Sequence, residues 1–292
     1  MAGKKERDRK RARERYERQR TERLARRSKI RQRTGIATVV VLVLGLAIGL
    51  PLALLTGGSP KAAPKPTTSH SASASPSATP SASTIAEPAK HCTYTKSGTA
   101  AKTVSLPPSS PDYTGTYTAT INTNLGKIDI DLLNSKATCA VNSFIHLASA
   151  GFWDNSKCHR VTTQGGLYVL QCGDPYAKAT SKLTCSSAAG SPGTGGPGYE
   201  FESENLKGAT YKAGTLAMAN TGSADSNGSQ FFLVYKNSSL QPDYTPFGTI
   251  TSGLDILQKV AKAGITCEYG GDPGDGAPKE KVIIDSVTIK KT

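Results

Sequence analysis

The six cysteines of this chain could form disulfides, bind a metal or act as nucleophiles. All of them lie at or after position 92. No CxxC pair and no histidine at ligand spacing accompanies them, and no neighbouring base would activate a thiol, so a metal site and a nucleophilic cysteine are both disfavoured. An even number of cysteines in an oxidising compartment is typical of disulfides, for which six cysteines allow fifteen pairings. The sequence therefore predicts disulfides, without their connectivity, among Cys92, Cys139, Cys158, Cys172, Cys185 and Cys267.

The usual catalytic signatures are missing from the sequence. It has no Ser-His-Asp elbow, phosphate loop, dinucleotide fingerprint or zinc helix, so we expect neither a metal nor a cofactor. Three glycine-containing segments carry the remaining candidate residues. They are GFWDNSKCHRVTTQGGLYVLQCGDP (151–175), GTGGPGYEFESEN (193–205) and GTLAMANTGSADSNGSQFFLV (214–234).

In this order and spacing, the three segments resemble a cyclophilin-type peptidyl-prolyl cis-trans isomerase. The resemblance spans about residues 117–291 and rests on HRV, QxGDP, GTGGPGY-x-FE-x-E, LAMAN, NGSQFF and a late FG. Each motif alone is weak, but their colinear occurrence is specific. It implies an enzyme that isomerises X-Pro bonds in proline-containing polypeptides.

The resemblance assigns a role to each candidate residue. Arg160 matches the catalytic arginine and Gln171 its hydrogen-bonding partner. The positions that match the proline pocket and the substrate-binding residues are Tyr168, Val169, Met218, Ala219, Asn220, Gln230, Phe232, Leu240 and Tyr244.

Several features depart from the family pattern. Extra residues after Arg160 leave Leu167 as an alternative to Tyr168 in the pocket. Ser239 stands where some members have Trp, and Tyr244 stands where many have His. An insertion over residues 176–189 enlarges the loop before GTGG.

These residue types also suit the chemistry on physical grounds. Rotation about an X-Pro bond meets a barrier of about 18 to 20 kcal/mol, because the amide loses its resonance. In the twisted amide the proline nitrogen regains a lone pair, which a fixed cationic donor can bind more strongly than the planar ground state. Arginine stays protonated and has a rigid, planar fork. An active isomerase is the leading hypothesis, and a proline-binding module without turnover is the alternative. Without the motifs, Arg160 would be interpreted as a salt-bridge partner on a strand.

The pattern of apolar residues predicts the elements that position these side chains. Alternation over residues 117–132 predicts a β-hairpin, and further strands are predicted at 168–170, 215–219, 231–234 and 282–289. Helical spacing predicts helices at 140–150 and 254–263. Many short strands with two helices predict a mainly β fold over residues 93–292, a closed antiparallel cyclophilin-like barrel capped by two helices.

The N-terminal third has a different composition. Residues 1–34 hold 16 basic and 5 acidic residues, and a basic cytoplasmic arm is predicted there. Residues 35–56 contain a twenty-residue uncharged run, which at about 1.5 Å per residue matches a bilayer core of about 30 Å. An uncleaved signal anchor is favoured over a cleaved signal peptide. Residues 57–92, rich in Ser, Ala and Pro, are predicted to be a disordered linker.

These pieces predict a single-pass protein of the cytoplasmic membrane. The basic arm places the N-terminus in the cytoplasm and the C-terminal domain outside. The expected substrates are unfolded or exported proline-containing chains, and the domain is expected to be a monomer. The arm could contact anionic lipid or nucleic acid, although a topology signal is the simpler interpretation. A third hypothesis puts the main function in the arm itself.

Overall fold

The computed structural model describes residues 89–186 and 188–292. The predicted basic arm, the predicted membrane span and the predicted linker up to residue 88 lie outside the described residues. Within the described part of the chain, neither helix has the length and apolar character needed to cross a bilayer.

The described residues form thirteen strands and two helices. The strands are β1 Thr95–Lys96, β2 Tyr117–Thr123, β3 Gly126–Leu132, β4 Ser156–Lys157, β5 Arg160–Thr162, β6 Val169–Cys172, β7 Tyr199–Glu200, β8 Thr215–Met218, β9 Phe231–Val234, β10 Pro246–Ser252, β11 Ile265–Glu268, β12 Asp275–Pro278 and β13 Ile283–Lys291. The helices are α1 Thr138–Ser149 and α2 Leu254–Ala263.

The predicted hairpin is confirmed as β2 and β3. Ile121 lies opposite Ile128 and Ala119 opposite Ile130, and all four are buried on one face. Their alternation with polar residues explains both the strands and the register, because a shift of one residue would expose the whole apolar set. Gly126 closes the turn with a φ of 129°, a value that other residues rarely adopt.

The two predicted helices are also present. α2 spans the predicted residues, whereas α1 begins two residues earlier than predicted. The reason lies far along the chain: the carboxylate of Glu204 accepts hydrogen bonds from the backbone N–H groups of Cys139 and Ala140, at 3.1 and 2.8 Å. A carboxylate at this end of a helix satisfies free N–H groups and the helix dipole.

Eleven of the described strands form one sheet in the order β11-β12-β5-β6-β9-β8-β10-β3-β2-β13-β4, and β1 pairs with β7. The mainly β fold is confirmed, but the expectation of a closed barrel is wrong, since no ladder joins the end strands β11 and β4 among the described residues. The cause is a break between β4 and β5. There Cys158 donates its N–H to Val282 and His159 donates to Gln171, so the segment changes its partner from the β13 side to β6.

Strands β6, β8 and β9 separate two apolar clusters. Alternate residues point to opposite faces of a strand, so Leu170, Leu216 and Phe231 enter the main core around Trp153. The opposite face carries a smaller group, which we call the outer cluster. It consists of the buried residues Val169, Tyr211, Ala217, Phe232 and Val234, with Leu167, Ala209, Ala219, Leu240 and Tyr244 packed against them.

Residues 89–116 precede the region of resemblance and pack on the domain. Cys92, the last residue of the predicted linker, is buried and bonded to Cys139 on α1. Tyr94 makes edge contacts with Tyr199 and Phe201, with ring centroids 5.6 and 5.5 Å apart. This segment therefore belongs to the folded unit.

Candidate active site

A row of four directly opposed residues crosses the sheet on the face of the outer cluster. Arg160 on β5 lies opposite Gln171 on β6, Gln171 lies opposite Phe232 on β9, and Phe232 lies opposite Ala217 on β8. Directly opposed residues of antiparallel strands share a face, with Cβ atoms about 4.5 to 5.5 Å apart. The sheet register therefore places a cationic side chain, an amide and an apolar ring side by side.

The guanidinium of Arg160 is held by three hydrogen bonds. Nη1 donates to Gln171 Oε1 at 3.0 Å, while Nε and Nη2 donate to the two carboxylate oxygens of Asp275, each at 2.6 Å. The Gln171 contact joins the pair that the resemblance implied. Burial lowers the pKa of Arg160, but the hydrogen bonds and charge of Asp275 outweigh it and raise the pKa above its ordinary value. Arg160 is therefore always a cation.

The amide of Gln171 is fixed in turn by Gln230. Gln171 Nε2 donates to Gln230 Oε1 at 2.9 Å, and Gln230 Nε2 donates to the carbonyl oxygens of Gly193 and Gly195, at 3.0 and 2.8 Å. A relay of side-chain amides thus runs from the glycine loop to Arg160. The sequence predicts that Gln230 binds substrate. In the structure, the Nε2 donor of its side chain bonds to the protein, and the side chain orients Gln171.

Asp174 holds the glycine loop at the end of this relay. Its Oδ2 accepts hydrogen bonds from the N–H groups of Gly193 and Gly195, at 2.6 and 2.9 Å. A Cβ at position 195 would overlap the carboxylate of Asp174. Glycine is needed there so that the loop can approach closely enough to receive Gln230.

The predicted disulfides are confirmed, and every cysteine is paired. The bridges are Cys92–Cys139, Cys158–Cys172 and Cys185–Cys267. The second bridge joins β6 to the residue two positions before Arg160, so it lies beside the row. The third links the insertion over residues 176–189 to β11.

Next to Arg160, His159 is buried. Burial first, and the charge of Arg160 second, lower its pKa from 6.5 to about 3. The imidazole is therefore neutral at physiological pH and is not a second cation in the site.

The outer cluster contains most of the predicted pocket residues. Phe232 and Tyr244 meet edge to face with centroids 5.5 Å apart, and Val169 is buried beside them. Leu240 and Ala219 pack at the margin and are half-buried. Phe232 and Val169 therefore form the floor of a surface patch, and the half-buried residues form its rim.

Three other predicted site residues lie outside the outer cluster: Tyr168, expected in the pocket with Leu167 as the alternative, Met218, expected behind the pocket, and Asn220, expected to bind the substrate backbone. Tyr168 packs against the main core and Tyr235, with ring centroids 6.0 Å apart, and Leu167 occupies the cluster instead because strand residues alternate. Met218 is in the main core behind the sheet. The side-chain amide of Asn220 donates to the carbonyl oxygen of Asp243 at 2.8 Å.

Two residues of the site have no counterpart among the sequence candidates. Tyr211 lies in the outer cluster, and its hydroxyl donates to the carbonyl of Tyr244 and accepts from its N–H, at 2.7 and 3.0 Å. Asp275 is 115 residues from Arg160 along the chain. The sequence indicates Asp275 only indirectly, because a partly buried arginine requires a counterion.

Comparison with known proteins places this arrangement in a family. The model of the cyclophilin type peptidyl-prolyl cis-trans isomerase/CLD family matches residues 118–289, more than half of the chain. A curated relative from Mycobacterium leprae, a probable peptidyl-prolyl cis-trans isomerase B, is 43% identical over 215 residues, covering 68% of this chain and 66% of the relative. The protein of the same description from Mycobacterium tuberculosis is 41% identical, with 68% and 64% covered.

The chain thus spans slightly less than two thirds of the length of these relatives. A solved cyclophilin type isomerase of Cryptosporidium parvum aligns with a TM-score of 0.48 and 26% identity, covering 61% of this chain and 99% of that one. On the strength of the family match, the chain belongs to the cyclophilin type peptidyl-prolyl cis-trans isomerase family.

Proposed function

We propose that this chain catalyses peptidyl-prolyl cis-trans isomerisation with Arg160 as the group that stabilises the twisted amide. The observation that carries the proposal is the row from Arg160 through Gln171 to Phe232, which sets a fixed cation beside an apolar patch. A proline ring on the patch would bring its nitrogen to the arginine side of the row.

Arg160 retains donors for a substrate. Three of its five N–H groups bond to Asp275 and Gln171, which leaves two for other acceptors. Its side chain is 31% exposed, so a peptide can reach it. A donor already fixed by the protein requires no reorganisation when the nitrogen lone pair develops, which is how a site favours the transition state.

The required acceleration is within reach of such a site. Uncatalysed isomerisation takes tens of seconds, and reaching milliseconds needs about four to five decades, or roughly 5.5 to 7 kcal/mol. Desolvation on the outer cluster and one charge-assisted hydrogen bond can supply energy of this order. No bond is broken and no proton is transferred in this reaction.

The proposed substrates are exported or unfolded chains outside the cytoplasmic membrane, with residues 35–56 as the anchor. Three disulfides support this placement, because such bonds persist in oxidising compartments. Cell fractionation of the full chain and of a variant lacking residues 35–56 tests it. The full chain should be in the membrane fraction and accessible to external protease, and the variant should lose membrane association.

The activity is tested by NMR exchange spectroscopy on an Xaa-Pro peptide. The full chain should accelerate exchange, Arg160→Ala should lose most of the acceleration, and Lys259→Ala, exposed on α2, should keep it. Peptide binding without acceleration would instead favour a proline-binding module. Full activity in Arg160→Ala would overturn the role of the arginine.

A further inference from the structure

The partner of Arg160 comes from the hairpin of β11 and β12, at one end of the sheet. β12 pairs with β5, so that Asp275 lies opposite Thr162, and β11 covers the other side of β12. Thr162 and Arg160 are two residues apart on β5 and share a face. Asp275 is therefore the diagonal neighbour of Arg160, at the end of the row opposite the outer cluster.

The contact between them is a two-point clamp. Both carboxylate oxygens of Asp275 accept from the guanidinium, through Nε and Nη2, at 2.6 Å each. Parallel bonds of this kind fix the plane of the guanidinium as well as its position. With the bond from Nη1 to Gln171, all three guanidinium nitrogens donate to the protein, and two N–H groups remain for other acceptors.

Hydrogen bonds and one disulfide restrain the hairpin of β11 and β12 and so hold Asp275 in place. The carbonyl of Asp275 accepts from the N–H of Tyr269 at 2.8 Å, and the carbonyl of Gly274 accepts from Thr163 at 2.7 Å. Gly276 must be glycine, because a Cβ there would overlap the carbonyl of Cys267. The bridge from Cys267 to Cys185 ties β11 to the insertion over residues 176–189.

We propose that Asp275 is a positioning residue for isomerisation, which locks the guanidinium of Arg160 in the orientation that meets the twisted amide. The hairpin of β11 and β12, with its bridge to the insertion, is the device that holds Asp275 in place. This inference rests on the proposed function of Arg160 and adds to it a residue that never contacts the substrate.

A purely structural ion pair is the competing explanation, and it makes a different prediction. The side chains of Arg160 and Asp275 are 31% and 19% exposed, so the pair is partly buried and its removal should lower folding stability under either explanation. Only a clamp should also lower the turnover of the folded protein while peptide binding is kept. A misplaced catalytic group can lower turnover by tens-fold even when peptide binding is kept.

The test compares Asp275→Asn with Asp285→Asn in the full chain, since Asp285 is exposed on β13. In NMR titrations of an Xaa-Pro peptide, Asp275→Asn should lower kcat about tenfold, with the peptide Kd within about twofold of the wild type. Its kcat should stay low at temperatures well below its thermal midpoint, where the variant is folded, and Asp285→Asn should keep full activity. Should Asp275→Asn not fold, Asp275→Glu, which keeps the charge at a changed distance, replaces it with the same expected loss of kcat.

A second measurement reports directly on the hydrogen bonds between Arg160 and Asp275. Arg160 is the only arginine after Arg33, so its Nε–H signal in 15N-arginine spectra can be assigned by its loss in Arg160→Ala. The signal should exchange slowly with water in the wild type and faster in Asp275→Asn. Unchanged kcat in the aspartate variants, or an unchanged Arg160 signal, would overturn the proposal. An inactive wild type would refute the proposed function alone, and the Arg160 signal would still test the clamp.

Discussion

The two halves of the site are held by different forces. On the polar half, Arg160 and Gln171 are fixed by directional hydrogen bonds of 2.6 to 3.0 Å, with a disulfide beside them. On the apolar half, Phe232 and Tyr244 are held by packing and edge-to-face contact. A group that must meet a transition state has to be fixed in direction, whereas a surface that receives different proline segments needs only the right shape.

This difference predicts how substitutions in each half should behave. Changes in the polar half should lower kcat and leave peptide binding nearly intact, because the ground-state amide makes little use of the cation. Changes in the outer cluster should weaken peptide binding and lower stability together. The predictions below follow in order of their expected effect on kcat/KM.

After Arg160→Ala, the largest effect on kcat/KM is expected for Phe232→Ala in the outer cluster. Removing the ring takes away the floor of the patch and leaves a cavity, so kcat/KM should fall about 100-fold, through Kd, and the free energy of unfolding by about 3 to 4 kcal/mol. Peptide titration and chemical denaturation measure the two quantities. Leu257→Ala on α2 is the matched control, because Leu257 is also buried but lies in the main core and not in the outer cluster. A loss in kcat alone would contradict the distinction between the halves.

A smaller effect on activity is expected when the bridge beside Arg160 is removed. Cys158→Ser with Cys172→Ser opens a link across 14 residues, which should lower the free energy of unfolding by about 3 kcal/mol. We expect kcat to fall up to about tenfold, because Arg160 and Gln171 lose a fixed separation.

The bridge between Cys92 and Cys139 provides the control for that experiment. It spans 47 residues, so its removal should cost more stability, about 4 kcal/mol, yet it lies away from the row. Its loss should leave kcat unchanged. Equal loss of kcat in the two double variants would show that the bridges act on activity only through stability.

The smallest effect on activity is expected from pH. Arg160 stays charged and His159 stays neutral, so kcat/KM should be flat between about pH 5 and 8. Stability behaves differently, because the folded protein keeps His159 unprotonated while the unfolded chain binds a proton near pH 6.5. The contribution of His159 to the free energy of unfolding is fully present above pH 6.5 and is lost as the pH falls towards about 3.

Denaturation curves at several pH values test the second part. His159→Gln should reduce the slope of stability against pH below about 6.5, relative to the wild type. An unchanged slope would show that His159 does not titrate between the folded and unfolded states. A sigmoidal pH profile of kcat/KM within the tested range would reveal a titrating group that the site description lacks.

The sequence was sufficient for those parts of the fold that depend on local pattern. The hairpin of β2 and β3 and helix α2 follow from apolar spacing within short windows. The pairing of Arg160 with Gln171 follows from short motifs on neighbouring strands. Of the two residues that the sequence leaves open for the pocket, Leu167 packs against the outer cluster and Tyr168 against the main core, because one residue of shift along a strand exchanges the two faces.

The rest depends on contacts between distant segments. Asp275 reaches Arg160 from 115 residues away, and Glu204 reaches α1 from 65 residues beyond Cys139. No local pattern distinguishes Asp275 from carboxylates at the surface. Glu204 is the last residue of the GTGGPGY-x-FE-x-E motif, but nothing near it in the sequence indicates that it reaches the start of α1. The break that leaves the sheet open, at Cys158 and His159, likewise arises from a change of partner strands and not from residue type.

The most direct test of the account is a line-shape titration of one Xaa-Pro peptide with the wild type and with Arg160→Ala, which gives kcat and Kd from the same spectra. If Arg160 acts on the twisted amide, kcat should fall at least about 100-fold while Kd changes less than about threefold. A variant that keeps its kcat, or that loses activity only through a weaker Kd, would contradict the account.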